Sequence, residues 1–327
     1  GIDMVQASMD AGVNRYELVN IFDEENNDLQ MSLIPTIALN QSQGKASIKG
    51  DFSPRQERML KIANHALSQI TPLLPEQAIP LFLAGPESFV NIPGVEGGFI
   101  KSLAAMSGAN IDIASSRFVN LGRAGAMDAI EIAFKYMSFS GNHFAIVGGV
   151  DSYYDYRVMQ FLYDRYRVNR KGAYDGTIPG EAAAFLLLVS PDAPEELRQG
   201  LHYITRPVLQ FEEGNLLGKG EYRGDALALS FEGALQSAVS PVSKIYSSHN
   251  GEMHYAKELT IAILRNHDKI EKDHTVHIPG EFVGDVGAAV GILAIALANT
   301  QSHEKTNTLV YCSSDSGGRA ALCMGSV

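Results

Sequence analysis

The stretch from Phe118 to Ser152 constrains the fold more than any other part of the chain. It reads as a short apolar strand, a glycine-bearing turn ("GRAG"), a long amphipathic helix and a near-continuous apolar strand, "FAIVGGVDS". Within the helix, Met127, Ile130, Phe134 and Met137 fall at spacings of three and four and face inward, with Asp128, Glu131 and Lys135 outward. An unbroken apolar run such as 144–152 marks a parallel strand covered on both faces, which calls for an α/β architecture. A strand-to-helix turn is also where many α/β enzymes mount a nucleophile, because the helix N-terminus offers unpaired N–H groups and a positive field. The residue at this turn is Arg123, with neither Ser nor Cys beside it.

The same alternation runs through the whole chain. "SPRQERMLKIANHALSQITPLL" predicts a helix capped by Ser53, with Pro54 at its first position and Met59, Ile62, Ala63 and Ala66 on one face. "IPLFLAGP" reads as a buried strand, "GGFIKSLAAMSGA" as a helix ended by Gly108, and "EAAAFLLLV" as a second parallel strand. After a surface linker at 191–200, "LHYITRPVLQF" is a strand, "GDALALSFEGALQSA" a helix, "SKIYSS" a strand and "MHYAKELTIAILRNH" a helix. A small-residue helix from Gly287 and the strands "TLVYCSS" and "RAALCMGS" close the chain. Each half alternates strand with helix and ends on consecutive strands. The expectation is two similar α/β units, 1–190 and 191–327. Ile2, Val5, Met9 and Val13 give the chain a helical start where such a unit commonly opens on a strand, so a strand is expected ahead of residue 1.

Composition narrows the function classes. A net charge of -11 argues against nucleic acid and anionic membrane as partners. Cys312 and Cys323 are the only cysteines, which leaves no disulfide framework and points to a reducing, cytoplasmic setting. Both lie in apolar strands, where a free cysteine packs as a small hydrophobe. The apolar run 287–298 is too short to span a bilayer and reads as a buried helix.

Isolated motifs carry little. "SDSGG" at 314–318 is a glycine turn between two strands, and "GKGEYRG" at 218–224 has the wrong spacing for a dinucleotide loop. "HNGEMH" brings His249, Glu252 and His254 close in sequence, but histidines five apart do not share a helix face, which disfavours a metal site. Arg165, Arg167, Arg170 and Lys171 lie among tyrosines between Tyr163 and Tyr174, either as a solvated loop or as a basic patch for an acidic partner.

Taken in order, four stretches form a pattern: "VNLGRAGAMDAI" with "IVGGVDS", "PGEAAAFLLLV", "YSSHNGEMHYAKE", and "GEFVGDVGAAVGILAIALA" with "YCSSDSGGRAAL". The series resembles the β-ketoacyl synthases, condensing enzymes of the thiolase superfamily. The resemblance implies a thiolase-like fold of two similar α/β halves in a five-layer αβαβα arrangement. It also implies a homodimer through the central strand of the first half, and as partners an acyl carrier protein or an active synthase subunit. No cofactor and no metal are implied. Asp151 and Glu181 fall where the family has acidic residues that hold strand ends. Arg123 falls at the position of the nucleophilic cysteine, His249 at the first histidine, Asp285 at the second, and Ser314 and Ser316 at the phenylalanines of a glycine-rich gate.

Chemistry of the kind this resemblance implies needs a low-pKa thiolate for acyl transfer, two histidines to stabilise an enolate, and backbone N–H groups for an oxyanion. Arg123 stays protonated and cannot be acylated in that way, and a carboxylate at Asp285 repels a developing enolate. Three arrangements remain open. Arg123 pairs with Asp285, with His249 nearby, and closes the pocket; or its charge reaches solvent. In the third, Arg123 and the amides of Gly122 to Ala124 hold a carboxylate or thioester ligand, for binding or for decarboxylation by another mechanism. Relatives of this kind without the nucleophile also serve as the non-catalytic subunit beside an active synthase.

Overall fold

The computed structural model describes residues 1–21, 29–41, 50–89, 92, 95, 98–170, 172–238, 240–300 and 307–326. Helix α1 (Ile2–Ala11) is followed by the antiparallel pair β1 (Glu17–Leu18) and β2 (Gln30–Met31) and by α2 (Thr36–Gln41). Val13 lies beyond α1, because Gly12 adopts the left-handed conformation and ends the helix. Helix α3 (Pro54–Ile70) begins with a reciprocal Ser53–Gln56 capping box and Pro54 in its first turn. Then come β3 (Leu81–Ala84), α4 (Phe99–Ser107), β4 (Arg117–Val119), α5 (Gly125–Ser140), β5 (Phe144–Ser152), α6 (Tyr156–Tyr163) and β6 (Glu181–Val189). After the short α7 (Glu195–Arg198) follow β7 (His202–Ile204), β8 (Val208–Phe211), α8 (Asp225–Leu235), β9 (Val242–Ser247) and α9 (Met253–Arg265). The chain closes with β10 (Ile270–His277), α10 (Gly280–Val283), α11 (Val290–Thr300), β11 (Thr308–Ser313) and β12 (Gly318–Ser326).

Two sheets share one plan. The first has the order β4-β3-β5-β6 and the second β10-β9-β11-β12, with the last strand antiparallel to the others in each. In the second sheet β7 and β8 both pair with the outer edge of β12. The matching edge of β6 carries no strand among the described residues.

The period-2 alternation of the strands sorts their side chains into layers. Leu81, Leu83, Ile146 and Val150 face α3 and α4 on the outside of the first sheet. Phe82, Ala84, Ala145 and Val147 face inward onto α5 and α11, as do Val310, Cys312, Ala320 and Leu322 from the second sheet. Leu309, Tyr311, Ala321 and Cys323 face outward onto α8 and α9. The result is five layers, α3/α4, sheet, α5/α11, sheet, α8/α9, as expected of a thiolase-like fold. Among the described residues no helix is long and apolar enough to cross a membrane.

Several expectations need correction. β6 is antiparallel to β5, not a second parallel strand. Its run of apolar residues reflects α3 on one face and α11 on the other, so burial on both faces, not strand direction, set the pattern. The segment 202–211 is two strands, interrupted at Arg206 and Pro207, where proline has no N–H to offer the ladder. Glu131 is buried instead of outward, held by Arg206 Nε at 2.7 Å and by Lys135 at 3.1 Å. The central strands of the first sheet, β3 and β5, are each paired on both sides, so strand-edge pairing there would fall to β4 or β6, whose outer edges carry no strand among the described residues.

Candidate functional site

Both central helices begin alike. A 3-10 turn, Gly122–Ala124, leads into α5, and another, Gly287–Ala289, leads into α11. Each opens on a glycine with positive φ, 60° at Gly122 and 51° at Gly287. Neither has room for a Cβ, because Glu87 lies over Gly122 and Asp151 over Gly287. β5 can approach the second turn because Gly149 is bare; a Cβ there would come within 2.3 Å of the Ala288 carbonyl oxygen. The two turns meet, and Arg123 projects from the first toward residues of the second sheet.

There its guanidinium is used on every side. Nε donates to the Ser313 carbonyl at 2.8 Å, Nη1 to Asp285 at 2.7 Å, and Nη2 to the Tyr255 hydroxyl at 2.7 Å. Nη2 also pairs with Asp315, and the guanidinium stacks 4.8 Å from the centre of the Tyr255 ring. Arg123 is only 3% exposed, so the arrangement in which its charge reaches solvent does not occur. Burial works against its charge, but Tyr255, Asp285 and Asp315 outweigh it and hold the guanidinium well above its ordinary pKa.

A second arginine completes the cluster. Arg167 Nε and Nη2 grip Glu252 at 2.7 and 2.6 Å, and its Nη1 donates to Asp315 at 2.6 Å. This corrects the reading of Arg167 as part of a surface basic patch, for it is buried. Of the other residues in that patch, Arg165 stacks on Phe161 and Arg170 on Tyr163, 3.8 and 3.5 Å from the ring centres. Lys171 lies outside the described residues. Asp315 also accepts from Tyr255, and Asn250 donates to both Glu252 and Asp285, at 2.8 and 2.9 Å. Although burial opposes its charge, Arg123 and Arg167 keep the Asp315 carboxyl far below the usual carboxylate range.

The structure thus brings Arg123 and Asp285 into contact and places the remaining candidates around them. His249 is half-buried; its Nδ1 accepts from the Gly251 N–H at 2.9 Å, and it makes no hydrogen bond to Arg123 or Asp285 among the described residues. Burial and the charge of Arg123 push its pKa down. Ser314 Oγ accepts from the Ala124 N–H at 2.8 Å and donates to Leu121, locking the turn. The Gly122 N–H is bonded to Gly85. Two of the three amides expected to face a ligand are therefore bonded within the protein. Ser316 donates to Glu87 through its hydroxyl at 3.0 Å. Asp315, Tyr255, Arg167, Glu252, Asn250 and Glu87 were not anticipated from the sequence.

Other assignments are resolved by the same geometry. Glu252 is committed to Arg167, and His254 packs tilted against the Tyr222 ring, so His249, Glu252 and His254 serve separate purposes. Asp151 accepts from Arg55 and from the Ala288 N–H, while Glu181 pairs with Arg58 and accepts from Ser152 Oγ; both tie strand ends in place. Cys312 and Cys323 are buried, which pushes each thiol up to about 12. What remains of a pocket at the turn is a cavity of about 10 Å³ between Arg55, Glu87, Arg123, Asp151, Tyr153 and Asp315. That is room for roughly one water.

No family model and no curated protein matches the sequence. Solved structures do match in fold. The ishigamide ketosynthase/chain length factor aligns over 100% of this chain and 95% of its own, with TM-score 0.75 and 13% identity. A type II polyketide-synthase acyl-carrier protein in complex with its ketosynthase, bound to the hexaketide, gives TM-score 0.71 at 12% identity over 100% and 96%. The ketosynthase from module 6 of the bacillaene synthase of Bacillus subtilis 168 gives TM-score 0.62 at 14% identity, over 84% of this chain and 60% of that one. The chain has the thiolase-type fold of these ketosynthases.

Proposed function

We propose that this protein is a ketosynthase-fold subunit that does not carry out acyl-cysteine condensation and works beside an active, cysteine-bearing synthase in chain building on an acyl carrier. One observation carries the reading. The Arg123 guanidinium fills the strand-to-helix turn, paired with Asp285 and Asp315, and leaves space for about one water. A buried, fully paired guanidinium cannot take an acyl group, and two carboxylates beside it cannot stabilise an enolate. Binding of a thioester at the turn would require the cluster to open. Two halves, 1–190 and 191–327, fit the repeated strand order of the sheets, and the solved ketosynthase/chain length factor pair offers a fold-level analogy for the partner role.

The test has two arms. Incubation with malonyl- and acyl-loaded carrier protein should give no covalent adduct by mass spectrometry and no release of carbon dioxide. Co-expression with a cysteine-bearing ketosynthase should give a stable complex in equal amounts. An acyl adduct or carbon dioxide release would overturn the loss of condensation, and failure to form the complex would overturn the partner role.

A further inference from the structure

The cavity at the turn is lined by three carboxyl groups, and they are not treated alike. Asp151 has Arg55 and Asp315 has both Arg123 and Arg167. Glu87 has no cation within ion-pair distance among the described residues, only Ser316, whose hydroxyl and N–H approach at 3.0 and 3.4 Å. Yet Glu87 is 6% exposed and lies directly across Gly122, where its side chain takes the space a Cβ would need. The groups around it are Asp315 on the β11–β12 turn, Arg123 on the elbow, Arg55 at the start of α3, and Asp151 and Tyr153 at the end of β5. Both arginines are already bound to other carboxylates, so a charge on Glu87 would have to take a partner from one of them.

We propose that Glu87 is a pH-dependent gate over the Arg123 turn, neutral while it lies across Gly122 and swinging away to loosen the turn once it is charged. The inference goes beyond the partner-subunit reading and starts from the turn's geometry. Burial and the neighbouring Asp315 raise the Glu87 carboxyl to about 7, so the gate works near neutrality. A closed form that holds its proton to about 7 and an open form that releases it near the ordinary glutamate value are linked. The opening equilibrium then rises by up to tenfold per pH unit between those values and levels off above them.

Two amides report the opening: Ala124, bonded to Ser314 Oγ, and Gly122, bonded to Gly85. Hydrogen exchange of the intact chain, expressed as protection factors relative to β5, should show both losing up to tenfold protection per unit from pH 5 to pH 7. The isosteric variant Glu87→Gln should show a flat profile. Wild-type protection that does not change with pH, or a slope that persists in the variant, would overturn the gate. A carbon-detected titration of the glutamate side chains gives a second decision: Glu87 titrating with the exposed glutamates would overturn it equally. Whether the chain pairs with a synthase affects neither readout.

Discussion

Arg123 and Arg167 share one carboxylate, that of Asp315, with Arg123 reaching it from the elbow before α5 and Arg167 from the loop after α6. Both arginines belong to the first series of elements, and their acidic partners, Asp285, Asp315 and Glu252, all belong to the second. The site is therefore a bridge between the two sheets. Such buried pairs need not exceed an apolar packing in stability, but breaking one from a single side is costly.

Asp315→Asn tests the bridge. It keeps the shape and removes the charge that two buried guanidinium groups depend on. Loss of about 3–5 kcal/mol is expected in urea unfolding. The control Ser316→Ala, which removes the hydroxyl that donates to Glu87, should cost about 1 kcal/mol. Equal losses for the two would show that Asp315 is not the hub.

Gly122→Ala strains the turn twice. The residue has φ 60°, and the new methyl would sit 2.5 Å from Glu87 Cγ. A loss of about 1–3 kcal/mol follows from the backbone alone. Because the methyl also displaces Glu87, the pH dependence of Ala124 exchange should flatten in this variant as well. Gly141→Ala provides the comparison, since its φ of 72° is similar but its Cβ meets open space. It should lose stability without changing that exchange.

The layers were legible in the sequence because they rest on apolar periodicity. Met127, Ile130 and Met137 on α5, and the alternation of 144–152, carry that signal directly. Strand direction was not, because an antiparallel strand such as β6, covered on both faces, has the same composition as a parallel one. The ordered motifs brought Arg123 and Asp285 to one place, and the 2.7 Å contact between them agrees with the pairing considered from the sequence. The other partners carried no local signal. Arg167 sits in a loop rich in arginine and tyrosine, which reads as solvated or as a basic patch, and Asp315 inside a glycine turn that carries no mark of burial. Only the meeting of distant loops shows that each cancels the other's buried charge.

Half-buried His254 and buried Glu87 should pull stability in opposite directions with pH. Burial lowers the pKa of His254 to about 4, with the Arg319 charge adding to the effect, so the folded chain resists protonating it. Its contribution is present above the ordinary histidine value and is lost as pH falls toward about 4. Glu87, raised to about 7, has the opposite sign: its contribution is complete below the ordinary glutamate value and is lost as pH rises through about 7. Between pH 4.5 and 6.5 the two slopes oppose each other. Relative to the parent, Glu87→Gln should gain stability as pH rises across this window, by on the order of 2–3 kcal/mol in total. His254→Phe should change in the reverse direction. Melting curves of the three proteins at intervals of half a pH unit decide this, and parallel curves would remove both assignments.

Restoring a cysteine at the turn should not by itself restore a nucleophile. In Arg123→Cys the thiol would stand at the start of α5, where the positive field of the helix end favours a thiolate. It would also stand beside Asp285, which loses its cation, and in a site already dry enough to hold Cys312 neutral. A carboxylate and low dielectric both disfavour a second negative charge, and together they outweigh the helix end. The thiol should therefore react with iodoacetamide more slowly at neutral pH than a free thiol of pKa near 8.5. It should also take no acyl group from a thioester. Replacing the carboxylate as well, in Arg123→Cys with Asp285→His, should raise the alkylation rate at least tenfold, because an imidazole in that position can donate to the thiolate. A single variant that already alkylates as fast as the double one would show that Asp285 does not govern the charge a residue at this turn can carry.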